Sequence, residues 1–153
     1  MFIRFKYKSY KLNKEACSFG ELYNQVTFFW QLVFFWSSRL YHPLSSLLDT
    51  HHGLANAVNI PYGMQFNIEG FEHKFKRIAQ ILKLPVETGK AVVQYLSDLN
   101  SKINIPLHLK DIGVRTEHIE TLSDLAIADF AHPNNPKPVT REDFRRLYLK
   151  ALG

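Results

Sequence analysis

From about residue 41 onward, apolar side chains recur in steps of three and four, the rhythm of a helix that buries one face. Phe71, Phe75, Ile78 and Leu82 form one such stripe. Val92, Leu96, Leu99 and Ile103 form the next, and Ile105-Pro106 then breaks it, because the residue before a proline is pushed out of the helical region. Ile119, Leu122, Leu125 and Ala126 make a third stripe, with Thr116 as candidate N-cap. Phe144, Leu147, Tyr148 and Ala151 make a fourth. Ahead of it, Thr140 with Asp143 three residues on resembles a capping box in which Asp replaces the usual Glu. Leu54, Ala57 and Val58 follow Gly53 and open a further helix, which Pro61 is expected to end or kink. Four or five amphipathic helices with short connections predict a compact all-α helical bundle. No alternation of strand and helix patterns announces a parallel sheet.

The first 40 residues follow no such rhythm. Val26 to Trp36 is apolar apart from Thr27 and Gln31. That run is shorter than the roughly 20 residues a membrane-spanning helix needs, and no small-residue cleavage site follows it. A buried helix or strand is the expectation, and no membrane partner. Charge separates the same two regions. Of the 19 lysines and arginines, Arg4, Lys6, Lys8, Lys11 and Lys14 precede every acidic residue, whereas the rest of the chain is balanced. Twelve of the aromatic residues fall within the first 36 positions, so the net charge of +5 is a local basic and aromatic feature rather than a global one. RFKYKSYK alternates charge and ring, yet a solvated edge strand or tail accounts for five basic residues, so nucleic acid is not an expected partner. The chain therefore divides into an atypical basic and aromatic segment, residues 1–40, and a helical domain, residues 41–153. The lone Cys17 excludes an intrachain disulfide and every Cys-based zinc motif, and fits a reducing, cytoplasmic compartment.

Candidate chemistry is sparse. The sequence has no HExxH, no CxxC, no adjacent glycines and no Gly-x-Ser-x-Gly elbow. No Asp is followed by His four residues later, so a one-face Asp/His metal pair on a helix is absent. What remains is a cluster, His42, His51 and His52, in YHPLSSLLDTHHGLANA. Neutral imidazole is the commonest metal ligand near pH 7. His52-Gly53 places a ring at a loop-to-helix junction, where backbone can approach closely. From spacing alone, surface or core histidines remain the commoner explanation. His73, His108, His118 and His132 are scattered and read as structural or solvated.

HPLSSLLDTHHGLANAVNIPYGMQFN resembles the segment of iron-containing alcohol dehydrogenases in which His-Pro-Leu precedes a His-Gly-x-Ala-Asn helix. INIPLHLKDIGV is similar to that family's Gly-Ile-Pro-x-x-Leu-x-x-x-Gly-Val connection. LAIADFAHPNNPKPVTREDF resembles its C-terminal Ala-x-x-Asp…Asn-Pro-Arg-x-x-Thr-x-Glu-Asp segment. The similarity runs in order from His42 to Leu152. It implies the helical C-terminal domain of a two-domain enzyme that interconverts alcohols and aldehydes, using NAD(P) and a metal, iron(II) or zinc. In such enzymes the metal holds the alcohol oxygen and hydride passes to the nicotinamide. His52 matches a metal-binding histidine. His42 matches a second active-site histidine beside metal and substrate, a catalytic position; an imidazole that only orients its loop is the alternative. Asn56 is expected to cap or orient the His52 helix, with a solvent-exposed side chain as the alternative. His51 stands where the family has Pro and inherits no role.

Departures from the pattern bear on function. Where the family has a further metal histidine, four residues before His42, this chain has Ser38. The family's other two ligands and its cofactor domain correspond to no part of this sequence, and one imidazole does not make a stable iron or zinc site. The bulky FFWQLVFFWSSRLY stands where the family has a small-residue helix. A shifted reading frame or misplaced start over residues 1–40 would account for it, and translation of the upstream DNA in the other two frames tests that. The expectation is thus a dehydrogenase C-terminal part inactive alone. A non-catalytic remnant, or an interaction subunit needing a separate cofactor domain, is the alternative. The face that meets the cofactor domain in the family is expected to be exposed and to favour self-association.

Overall fold

A computed structural model describes residues 36–129 and 136–153. Among them are six α-helices: α1 (Trp36–Leu48), α2 (His52–Phe66), α3 (Glu72–Ile81), α4 (Gly89–Lys102), α5 (Ile119–Ala128) and α6 (Arg141–Leu152). Two 3₁₀ turns, Leu109–Ile112 and Thr116–His118, join α4 to α5. The all-α expectation holds. The expectations for residues 1–35, including Cys17 and the Val26–Trp36 run, and that for His132, lie outside the described residues. Among the described residues, no helix is long and apolar enough to cross a membrane.

The helices close around two hydrophobic clusters. The larger is built from Leu40 and Leu44 of α1, Ala55 and Val58 of α2, Ile119, Leu122 and Ala126 of α5, and Phe144, Leu147, Tyr148 and Ala151 of α6. Leu109 and Val114 close it from the 3₁₀ connection. Gly113 turns that connection with φ of +92°, a conformation open to glycine at no steric cost. The smaller cluster consists of Met64 at the end of α2, Phe75 and Ala79 of α3, and Val92 of α4. Here Gly89 opens α4 against Ile68, whose side chain would lie 2.8 Å from an added Cβ.

The α6 stripe is buried throughout, and its N-terminus carries the expected reciprocal cap. The Asp143 N–H donates to Thr140 Oγ1 at 3.2 Å, and the Thr140 N–H donates to Asp143 Oδ2 at 2.9 Å. Other stripes are only half used. Leu82, Leu99, Ile103 and Leu125 are exposed, since among the described residues no helix packs over the faces they occupy. Thr116 does not cap α5. It begins a 3₁₀ turn, and the Arg115 N–H donates instead to the His118 ring at 3.2 Å.

Pro61 does not end its helix. α2 continues to Phe66 with Pro61 buried inside it. A proline has no N–H to give the carbonyl four residues back, here that of Ala57. Asn100, on α4, supplies the missing donor: its Nδ2 reaches Ala57 O at 2.7 Å. The donor comes from a residue 43 positions away, so the break written into the local sequence is mended by packing.

Candidate functional site

The site candidates lie at the corner where α1 turns into α2. α1 ends at Leu48, and Asp49 takes a positive φ of 50°, a left-handed conformation that Asp tolerates better than most residues. The Asp49 N–H closes back on Ser45 O at 3.1 Å, and Ser45 Oγ donates to Thr50 O at 3.0 Å. These bonds satisfy the end of α1 and redirect the chain, so that α2 starts at His52. His51 is the N-cap of α2 without a side-chain cap, and its carbonyl accepts the Ala55 N–H at 3.0 Å.

His52 is therefore the first residue of α2, exposed to solvent. An added Cβ at Gly53 would come no closer than 3.5 Å to the His51 ring, an ordinary contact, so space alone does not demand glycine there. Asn56 follows one turn after His52 on the same face. It does not cap α2, because it lies inside the helix. Its Oδ1 is buried and accepts no hydrogen bond among the described residues. Ser38 falls within α1.

His42 sits in the middle of α1, on a partly buried face. Its Nδ1 lies 2.8 Å from Asp129 Oδ2, a contact that joins residues 87 positions apart. Asp129 is the residue at which the chain leaves α5, with φ −64° and ψ 132°. Its carboxylate is nearly buried, with 9% of the side-chain surface exposed, against 38% for His42. Next to this pair, the hydroxyl of Tyr148 donates to Leu40 O at 3.1 Å. Tyr148 is fully buried, and burial first and the Asp129 charge second push its phenol well above the usual tyrosine range. Three elements thus converge on α1: α2 across the corner, α5 through Asp129, and α6 through Tyr148.

The histidines expected to be structural or solvated lie elsewhere. His118 sits in the 3₁₀ connection, His73 is exposed on α3, and His108 lies 3.1 Å from the Tyr62 hydroxyl. Asp129 is the residue that sequence reasoning missed. It stood inside a segment matched to a family motif, yet nothing local links it to His42.

Among the described residues, no three His, Cys, Asp or Glu side chains are grouped so as to hold a metal ion. The described donors do not by themselves complete a metal site. What they present is two imidazoles on either side of one helix corner, one of them tied to a carboxylate.

Residues 20–152 match the model of the Fe-containing alcohol dehydrogenase family, C-terminal part. The match begins upstream of His42, inside the segment set apart by its charge and aromatic content. The chain is 36% identical over 116 residues to lactaldehyde reductase of Escherichia coli K12, which covers 72% of this chain and 30% of the relative. It is 26% identical over 115 residues to the NADPH-dependent butanol dehydrogenase of Clostridium saccharobutylicum, covering 70% and 30%. An alcohol dehydrogenase from Oenococcus oeni superposes with a TM-score of 0.71 at 23% identity, over 76% of this chain and 32% of that one, which is a likeness of fold. The chain thus spans about 30% of the length of the curated relatives it matches.

Proposed function

This chain belongs to the Fe-containing alcohol dehydrogenase family, as its C-terminal part, and from that premise we propose that it supplies the helical side of an NAD(P)-linked alcohol or aldehyde oxidoreductase. In this reading His52 is one ligand of the catalytic iron(II) or zinc, and His42 is the catalytic-site imidazole that faces the substrate. The observation that carries it is the helix corner. It sets His42 and His52 on the two arms of one turn, inside the stretch that matches the family. Relatives named as a lactaldehyde reductase and a butanol dehydrogenase support small alcohols and aldehydes as the substrate class. NADPH in the name of one of them leaves NAD and NADP both open here.

The described residues do not complete a metal site, so the other ligands and the nucleotide surface come from residues beyond them. When bound, the metal supplies Lewis-acid polarisation of the substrate oxygen. The chain's own residues hold two imidazoles in place on a packed helical platform. A second reading is favoured by the same missing ligands. It makes the chain a non-catalytic member of the family, because no group of three metal-ligating side chains is found among the described residues.

A chimera separates the readings. Residues 42–152 replace the matching C-terminal part of E. coli lactaldehyde reductase, and aldehyde-dependent oxidation of reduced nicotinamide is followed. Turnover that His52→Ala abolishes and His42→Ala lowers at least tenfold supports the first reading. A folded chimera without turnover supports the second.

A further inference from the structure

We propose that Asp129 is the positioning residue of His42: it holds the imidazole by Nδ1, fixes the tautomer that carries its proton there, and so leaves the lone pair on Nε2. The proposal deepens the functional reading above. It rests on that reading for the use made of His42, though not for the geometry.

Donor and acceptor roles decide the tautomer. An ionised carboxylate only accepts, so a neutral ring bonded to Asp129 through Nδ1 has to place its N–H on that nitrogen. The separation of 2.8 Å is that of a charge-assisted bond. A neutral imidazole in water favours the other tautomer, with the proton on Nε2, so the protein reverses an intrinsic preference. The Asp129 side chain, only 9% exposed, makes the bond where water competes poorly.

The carboxylate is itself held. It sits where α5 ends, its backbone already turned out of the helix, and Ala126 just before it is packed into the larger cluster. On the other side, Tyr148 clamps the α1 backbone at Leu40, two residues before His42. Ring and backbone are therefore fixed from two different helices. A carboxylate that orients an imidazole in this way gives its far nitrogen acceptor character, which the functional reading above uses toward a substrate hydroxyl. Without the carboxylate, Nε2 becomes a donor and the polarity of the site inverts. Outer partners of this kind typically change activity by about 10–100-fold when removed.

The test is the tautomer itself, read on the full chain labelled with ¹⁵N-histidine. Long-range ¹H–¹⁵N spectra are recorded at about pH 8, above the ordinary imidazole range. His42→Gln identifies the His42 signals. The proposal expects a protonated Nδ1 and an unprotonated Nε2 in the wild-type chain. Asp129→Ala should shift His42 to the Nε2-protonated form, and Asp129→Glu should restore part of the original state. An Nε2-protonated His42 in the wild type overturns the proposal, even if Asp129→Ala does not fold. An unchanged tautomer in a folded Asp129→Ala overturns it too. A dependence on Asp129 supports positioning whether or not the chimera turns over, and absence of turnover counts against the functional reading alone.

Discussion

Around Phe144 and Tyr148, helices α1, α2, α5 and α6 bury one another on several sides, and the 3₁₀ connection closes what they leave open. Around Phe75 and Val92 there are, among the described residues, only α3, α4 and the last turn of α2. Tyr95 and Leu99 on α4 and Ile103 at its C-cap, four residues apart, stay exposed there, as do Ile81 and Val86 at the α3–α4 connection. Both regions come from the same three-and-four rhythm, but only one has enough partners to use it. The candidate histidines stand on the well-packed region. His42 is held there by its contact with Asp129, and the α1 backbone beside it by Tyr148. Among the described residues, the thinly covered region carries none of the candidate site residues and exposes several large apolar side chains.

The largest effect should separate the two cores. Phe144→Ala removes a ring enclosed on all sides and should cost about 3–5 kcal/mol. Phe75→Ala should fall at or below the lower end of that range, because a core closed by two helices and one further turn relaxes into the space more easily. Urea unfolding of the two variants measures both, and equal losses would erase the contrast.

Asn100 tests the joint between the regions, since it reaches from α4 to the α2 backbone. Asn100→Leu leaves the part-buried Ala57 O without this donor and should cost about 1–3 kcal/mol. Pro61→Ala in the same chain restores a backbone N–H and should recover most of that loss. A double-variant cycle with no coupling would mean that the Asn100 bond does not repair the proline.

A smaller effect concerns the cap of α6, which anchors the larger core. Burial raises the Asp143 carboxyl, but its bonds from Thr140 and Arg146 outweigh that and leave it below the usual carboxylate range. A depressed folded value stabilises above the unfolded one, and the gain is lost as pH falls through the folded value. Thr140→Ala should cost about 1 kcal/mol near neutral pH. Asp143→Asn should flatten the acid side of the stability curve, in unfolding series run from neutral to acid pH. The smallest change in stability, within about 0.5 kcal/mol, is expected for Leu99→Lys on the exposed face. There the readout is association. We expect the wild-type chain to self-associate through this apolar stripe and the variant to do so less, by sedimentation at matched concentrations.

What the sequence made legible was local. The Thr140–Asp143 cap and the buried face of α6 depend on residues within one or two turns, and both were readable in advance. Periodicity also placed α3, α4 and α5, but it cannot say whether a face finds a partner, which is why Leu99, Ile103 and Leu125 were expected inside. Pro61 was expected to end or kink its helix, and that the helix runs on could not be read locally, because Asn100 lies far along the chain. Thr116 was displaced as a cap by the tighter turn that starts there. His42 and His52 stood out through resemblance to family motifs, since the spacing of three histidines is weak evidence. Asp129 was hidden for the same reason as Asn100: its partner is brought to it only by the fold.

The central claim is that His52, on the corner built by the larger core, is one ligand of a metal site completed from elsewhere. Metal content after reloading with iron(II) or zinc tests it most directly, measured on the chain alone, on the chimera, and on the chimera carrying His52→Ala. The account predicts stoichiometric metal in the chimera and none retained in either of the others. Full metal in the His52→Ala chimera would contradict it.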